Sequence, residues 1–207
     1  MTVVLAVAAA YLLGSIPFAY LAVRARGTDL RTVGSGNLGA ANVFRTLGTG
    51  WGAAVMAADI GKGVGAVLLA RALVDDPWPV VAAGAAMAGH VYPVWLRFKG
   101  GKGVAVGGGA VIGLMPIAAV LLLALWALVL VTTRYSSLAS IVAATAATPV
   151  VWALGHPVSR VVFVALGSAA VLVLHRGNMV RLAQRRENRI NFSRRRVPPG
   201  AGSGTPA

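Results

Sequence analysis

Three short polar stretches hold most of the residues able to do chemistry. The first is Gly34-Ser35-Gly36-Asn37-Leu38-Gly39-Ala40-Ala41-Asn42-Val43-Phe44-Arg45. Its glycines at 34, 36 and 39 spell GxGxxG. A dinucleotide fold would need a strand before that run and an acid about 20 residues on. A helix-length apolar segment precedes it instead, so that reading fails. Backbone N–H groups freed of side chains can still surround an anion. Ser35, Asn37 and Asn42 add polar contacts, and Arg45 offers a planar fork for phosphate. Taken alone, the run reads also as a flexible interfacial loop. The second stretch is Lys99-Gly100-Gly101-Lys102-Gly103-Val104-Ala105. A phosphate-binding GxxxxGK[ST] loop is absent, because position 96 is Leu and position 103 is Gly. A Lys between glycines at a helix start remains a fit for phosphate, and equally for an ordinary basic loop. The third is His175-Arg176-Gly177-Asn178-Met179-Val180-Arg181-Leu182. On a helix, His175, Asn178 and Arg181 share a broad face. The plain alternative is a basic amphipathic segment beside a membrane.

Other polar groups are fewer. Ser136, Ser137 and Ser140 follow Arg134 at a helix start, where serines serve as caps or interhelical bonds. Asp59 and Lys62 lie one helical turn apart in an apolar stretch, and mutual pairing is the favoured reading. His90 is expected to be buried and hydrogen-bonded, and His156 to be structural. The chain has no Cys and only five acids. Carboxylate or His-cluster metal sites are therefore not expected, nor is a serine triad with an acid beside its His. The soluble acyltransferase pattern, His with Asp five residues on, also fails. Positions 95, 161 and 180 are Trp, Val and Val. What remains is a cationic pocket suited to phosphorylated substrates.

The elements that position these stretches lie in a membrane. Of 207 residues, 57% are hydrophobic and 12% charged, with mean hydropathy +0.77. Soluble domains run nearer ~25% charged. The net charge of +14 accompanies too much apolar surface for a soluble nucleic-acid binder. Spanning a bilayer takes about 20 apolar residues. Apolar stretches occur at Val3–Val23, Trp51–Leu73, Trp78–Leu96, Val104–Val131, Leu138–Leu154 and Val158–Leu174. The first lacks the basic flank and cleavage site of a signal peptide.

Basic loops stay cytoplasmic. The Arg24–Arg45 loop, Arg97–Lys102 and the stretch from His175, with eight Arg and one Glu, are basic, whereas Asp75-Asp76-Pro77 is acidic. These put the N-terminus outside. Six crossings would leave the Arg-rich end outside too, so the 28-residue fourth stretch is split at Gly113-Leu114-Met115-Pro116. The expectation is an all-α integral membrane protein of about seven transmembrane helices, N-terminus outside and C-terminus cytoplasmic. All three polar stretches then lie on the cytoplasmic face. Arg160, near the outer Gly155-His156-Pro157 hairpin, is the one misfit. Residues 1–192 form one membrane domain. Residues 193–207, rich in Arg, Pro and Gly, are expected to be a disordered tail.

These residues carry a resemblance. The SGNxGAxNxxR run at Ser35–Arg45, KGGKGVA at Lys99–Ala105 and HRxNxxRL at His175–Leu182 look like the bacterial membrane glycerol-3-phosphate acyltransferases that use acyl-phosphate. DxxKG at Asp59 and GHxYPV at His90 are similar too. Two positions depart from the family's pattern: Ala41 replaces a Thr, and Arg185 stands where a Gly is usual, with Glu187 kept.

The resemblance implies a seven-helix fold. It implies transfer of a fatty acyl group from acyl-phosphate to the 1-hydroxyl of sn-glycerol 3-phosphate, giving lysophosphatidic acid and phosphate in phospholipid synthesis. Lys102, Arg45, Ser140, His175 and Asn178 would act catalytically in the substrate site, and the Ser35 and Gly100–Gly103 loops would bind phosphate. The full binding set expected is Gly34, Ser35, Gly36, Asn37, Asn42, Gly100, Gly101, Gly103, Ser137 and Arg181. No metal, cofactor or nucleic acid is expected. The partners are the two substrates and the lipids of a bacterial cell membrane. The oligomeric state is open, and a monomer is compatible. The base is also left open between His175 and a substrate phosphate. The rival reading is a transporter of an organic phosphate anion.

Overall fold

A computed structural model describes residues 1–190; the tail expected at 193–207 lies outside them. Ten α-helices are present among the described residues: α1 (Thr2–Ser15), α2 (Phe18–Arg24), α3 (Ala40–Leu47), α4 (Thr49–Leu73), α5 (Trp78–Val91), α6 (Val104–Leu114), α7 (Pro116–Thr133), α8 (Ser136–Ala153), α9 (Val158–Leu174) and α10 (Arg176–Ala183). A single 3₁₀ turn covers Val94–Leu96. Five segments are long and apolar enough to cross a membrane: Thr2–Arg24, Thr49–Leu73, Trp78–Leu96, Pro116–Thr133 and Ser136–Ala153. The pair α9–α10, bent by 54°, makes a sixth if it counts as one span.

The first span is broken by chemistry visible in the sequence. Pro17 forces Ile16 into an extended conformation at ψ 117°. The carbonyl freed at Ile16 accepts a bond of 2.8 Å from Lys62 Nζ. Lys62 also pairs with Asp59 at 3.0 Å, the mutual pairing read from the sequence. One cation thus serves both a broken helix and the charge of a buried acid.

Small residues set the helix packing. A Cβ on Gly63 of α4 would collide with the Val106 carbonyl of α6, and one on Gly109 of α6 with the Ile60 carbonyl of α4. Gly14 and Gly89 bring α1 and α5 together in the same way, against Ala86 and Tyr11 carbonyls. Such close backbone approach replaces the hydrophobic drive that lipid does not supply. Farther along, Val67, Ala83, Ala110, Leu114, Ala147 and Val164 join α4, α5, α6, α8 and α9 in one core.

The long apolar stretch does break at Met115, between α6 and α7. With eleven residues, α6 rises only about 16 Å. Arg160, the misfit, has work at this point. Its guanidinium donates to the Leu114 carbonyl at 3.2 Å and to Asp76 at 3.3 Å. The end of α6, the acidic turn and the start of α9 therefore share one end of the bundle. On the opposite end, Leu30, Val43, Val23 and Val55 pack the 25–47 segment beneath α2 and α4. Gly63→Ala and Gly109→Ala are expected to destabilise the bundle by about 1–3 kcal/mol through overpacking. Thermal unfolding in detergent measures this. Gly61→Ala, whose Cβ meets nothing within 4 Å, is the matched control and should not lower the midpoint.

Candidate active site

A cavity of about 790 Å³ opens at the end where α3, α6 and α10 begin. Its mouth is polar. Ser35, Gly36, Asn37, Arg45, Lys102, Gly103, Ser137, Ser140, His175, Asn178 and Arg181 all line it. Three stretches separated by more than 50 residues in sequence therefore meet at one mouth, as expected.

The first stretch is shaped by Asn42. This residue is 1% exposed. Its Oδ1 accepts from the Ser35 amide at 2.9 Å, and its Nδ2 donates to the carbonyls of Val33 at 3.0 Å and Leu30 at 3.3 Å. Three bonds commit its side chain to the loop. Asn42 also lines the cavity, so its expected place at the site stands beside a positioning part in the loop. Gly34 is also structural: it is absent from the cavity wall, has φ 62°, and a Cβ there would strike Asn42 Oδ1. The start of α3, Ala40 and Ala41, faces the cavity. It brings the partial positive charge of a helix N-terminus.

The second stretch divides similarly. The Gly100 amide donates to the Val91 carbonyl at 3.0 Å and the Gly101 amide to the His90 carbonyl at 3.1 Å. A Cβ on either would run into His90. Gly100 and Gly101 are absent from the cavity wall and pack closely on α5, with both N–H groups bonded within the chain. His90 Nδ1 in turn sits 3.7 Å from Asp59. Gly103 takes φ 77° as the cap of α6, a left-handed conformation that favours glycine. That turn aims Lys102 and the α6 N-terminus into the cavity.

The third stretch is organised by a residue absent from the expected set. After α10 the chain makes a left-handed turn: the Arg185 amide bonds Leu182 and the Arg186 amide bonds Arg181 at 2.8 Å. This is a Schellman ending. It folds Glu187 back under the helix. The Glu187 side chain is 2% exposed. It accepts from Ser137 Oγ at 3.0 Å, Asn178 Nδ2 at 2.7 Å and Arg181 Nε at 2.7 Å. Asn178 Oδ1 accepts from Lys102 Nζ. Arg45 reaches the same segment, donating to the Asn188 carbonyl at 3.2 Å. One of the chain's five acids therefore stands at the site. Ser137 is turned toward this carboxylate, so its hydroxyl proton is not offered to a substrate. The sequence signals were one Glu among eight Arg and the retention of Glu187 in the pattern that the third stretch resembles.

Charges here are displaced from their ordinary values. Burial pulls Lys102 down to about 8, and the facing Arg181 and Arg45 add to the fall while Glu187 opposes it. Burial alone would raise Glu187, yet the bonds from Asn178, Arg181 and Ser137 win and hold it below the usual carboxylate range. His175 lies one residue past α9. Its Nδ1 faces the Val171 carbonyl at 2.8 Å. A carbonyl only accepts, so Nδ1 carries the proton and Nε2 keeps its lone pair. Burial, with Lys102 nearby, lowers His175 to about 4. Ser140 donates to the Ser136 carbonyl at 2.8 Å and accepts from Trp126 Nε1 at 3.2 Å.

The turn that places Glu187 carries a cost. Arg185 is exposed, with φ 55°, where an L side chain is strained by roughly 1–2 kcal/mol. Arg185→Gly is expected to raise stability by about 1 kcal/mol, read as a higher thermal midpoint in detergent. A lower midpoint would show that Arg185 makes contacts worth more than its strain.

Comparison with known proteins agrees with this geometry. The family model described as glycerol-3-phosphate acyltransferase matches residues 4–185. A glycerol-3-phosphate acyltransferase of Rubrobacter xylanophilus is 49% identical over 177 residues, covering 84% of this chain and 88% of the relative. One from Desulforudis audaxviator is 45% identical over 194 residues, covering 93% and 98%. The crystal structure of PlsY (YgiH), an integral membrane glycerol 3-phosphate acyltransferase, in its glycerol 3-phosphate form aligns with TM-score 0.88 at 38% identity, covering 92% of this chain and 96% of that one. Its lysophosphatidic acid form aligns with TM-score 0.85 at 36% identity, covering 93% and 97%. With the fold, the cationic mouth and the sequence in agreement, this chain belongs to the glycerol-3-phosphate acyltransferase family of integral membrane proteins.

Proposed function

We propose that the protein transfers a fatty acyl group from acyl-phosphate to the 1-hydroxyl of sn-glycerol 3-phosphate, releasing lysophosphatidic acid and phosphate. The observation that carries this reading is the cavity's two-part wall. Lys102, Arg45, Arg181 and the N-termini of α3 and α6 meet at its mouth. Deeper in, the wall is Met56, Ile60, Val111, Leu122, Leu123 and Phe163. Three cations and two helix ends suit two phosphates; the apolar depth suits one acyl chain. Arg45 Nε is buried without an acceptor among the described residues, a donor suited to an anion's oxygen.

The chemistry follows from charge. The cations screen two anionic substrates that would otherwise repel each other, and holding the hydroxyl against the acyl carbon supplies proximity. The hydroxyl oxygen attacks the acyl carbon. Charge then builds on the carbonyl oxygen, where Lys102 and backbone N–H donors stabilise it. The bond between the acyl carbon and the oxygen bridging to phosphorus breaks, and phosphate leaves with that oxygen and the bonding pair. His175 Nε2 accepts from the attacking hydroxyl and orients it. Burial holds His175 below its ordinary value, while a phosphate oxygen has a second pKa of about 6; this favours a substrate phosphate as the proton's acceptor. Activation resides in the donor, so no step calls for a metal.

The same reading places the mouth on the cytoplasmic face of a bacterial cell membrane, with seven crossings and the N-terminus outside. Support comes from the bonds of Arg160, which tie the end of α6 to the acidic turn. That contact makes α6 a short crossing buried among neighbours. A transporter is disfavoured because its site would lie near the midplane, whereas these cations gather at one end.

The test is purified protein with glycerol 3-phosphate and, in turn, acyl-phosphate, acyl-CoA and acyl-carrier protein, without metal. Phosphate release with the first alone is the expected result; uptake into proteoliposomes without product would overturn it. Lys102→Ala and Arg45→Ala should each lower transfer by about 100-fold or more while the protein still folds. Full activity in either would sink the assignment. Lys102 must be charged to hold phosphate. Accordingly kcat/KM should fall as pH rises through about 8, and Lys102→Arg, always charged, should lose that limb.

A further inference from the structure

We infer that Gly108 sets the bore of the apolar groove and so decides which acyl chains the enzyme accepts; this rests on the acyl-transfer reading above. Helix α6 carries three consecutive glycines, Gly107, Gly108 and Gly109. Each glycine inside a helix costs roughly 0.5–1 kcal/mol relative to Ala, so each needs a reason. Gly109 has one, since a Cβ there would hit the Ile60 carbonyl of α4. Gly107 has a weaker one: its Cβ would touch Met87 Sδ at 3.5 Å. Gly108 has none in the protein's own packing. A Cβ there meets no atom within 4 Å, and its backbone is not in the left-handed region. Yet Gly108 lines the cavity. The space that a side chain would take is groove.

Position along the groove says what that space is for. Gly108 lies five residues past Gly103, about 7.5 Å into the membrane from the cationic mouth. Phe163, near the far end, lies twelve residues before His175, about 18 Å from it. An acyl chain with its reactive carbon at Lys102 would therefore pass Gly108 within its first several carbons. The remainder runs between α7, α8 and α9, along Leu122, Leu123, Ala143, Ala144, Ala147 and Phe163. On the facing wall, Met87 packs between Gly107 and Gly167. Its flexible thioether can yield to a chain. At position 108 the α6 wall is bare backbone between the side chains of Val104, Val111 and Ile112, so a side chain added there narrows the groove.

The experiment measures acyl transfer with acyl-phosphates of graded chain length for the wild type, Gly108→Ala, Gly108→Leu and the control Gly61→Leu. Gly61 is an exposed residue of α4 outside the groove, where an added Cβ also meets nothing. The long-to-short ratio of kcat/KM should fall about tenfold or more in Gly108→Leu, the usual scale for overpacking a fitted site. A smaller fall is expected in Gly108→Ala and none in Gly61→Leu. Thermal midpoints should hold or rise, since helical glycine is replaced. An unchanged ratio in a folded, active Gly108→Leu overturns the inference and leaves the proposed reaction standing. A folded but fully inactive Gly108→Leu also overturns it, by showing that the residue serves the reaction rather than the chain. A wild type that transfers no acyl chain from any of the acyl-phosphates overturns both.

Discussion

The site hangs on one buried carboxylate. Lys102, Arg45 and Arg181 repel one another, and each loses hydration where the cavity encloses it. Glu187 offsets that by accepting from Ser137, Asn178 and Arg181, while Asn178 passes the connection on to Lys102. One anion thus fixes the relative positions of α6, α8 and α10. Charge-assisted bonds are the stronger class. Leaving such a group without partners is costlier still. The strained turn at Arg185 is tolerated because it delivers this acid. Its net effect is a mouth still positive overall, rigid enough to hold two phosphates and not so positive as to push its own cations apart.

Lipid imposes the second constraint. Without water to drive the helices together, α4 and α6 approach through Gly63 and Gly109, and α1 and α5 through Gly14 and Gly89. Polar groups inside lipid are costly unless partnered. Lys62 shows the economy of this, serving the Ile16 carbonyl and Asp59 together. Arg160 does likewise for Leu114 and Asp76. Two further glycines of α6, Gly107 and Gly108, border the apolar groove behind the cations. A charged mouth and an oily depth in one cavity fit a reaction between a water-soluble phosphate and a lipid chain.

Much of this was legible in one dimension. Hydropathy located the long apolar helices but not the break at Pro17 or the short α3 and α10; a split expected at Gly113–Pro116 falls at Met115. The three polar stretches announced a phosphate site through residue type alone. Glycine was the ambiguous letter. Gly34, Gly100 and Gly101 looked like cradle and are packing, whereas Gly36 and Gly103 line the cavity. Sequence shows that a side chain is missing but not what fills its place. Asn42 was ambiguous for the same reason: its three partners lie 7 to 12 residues back along the chain, set by how the loop closes.

Sequence alone determined the solvent, the helices, the sign of the site and the family, because these depend on composition, on local periodicity and on motifs that survive in linear order. Tertiary structure decided which N–H groups are already spent, which acid joins the cations and which glycine borders open space. Those are properties of pairs brought together across the fold. Glu187 and Ser137 are 50 residues apart, and only the left-handed turn after α10 brings them within bonding distance.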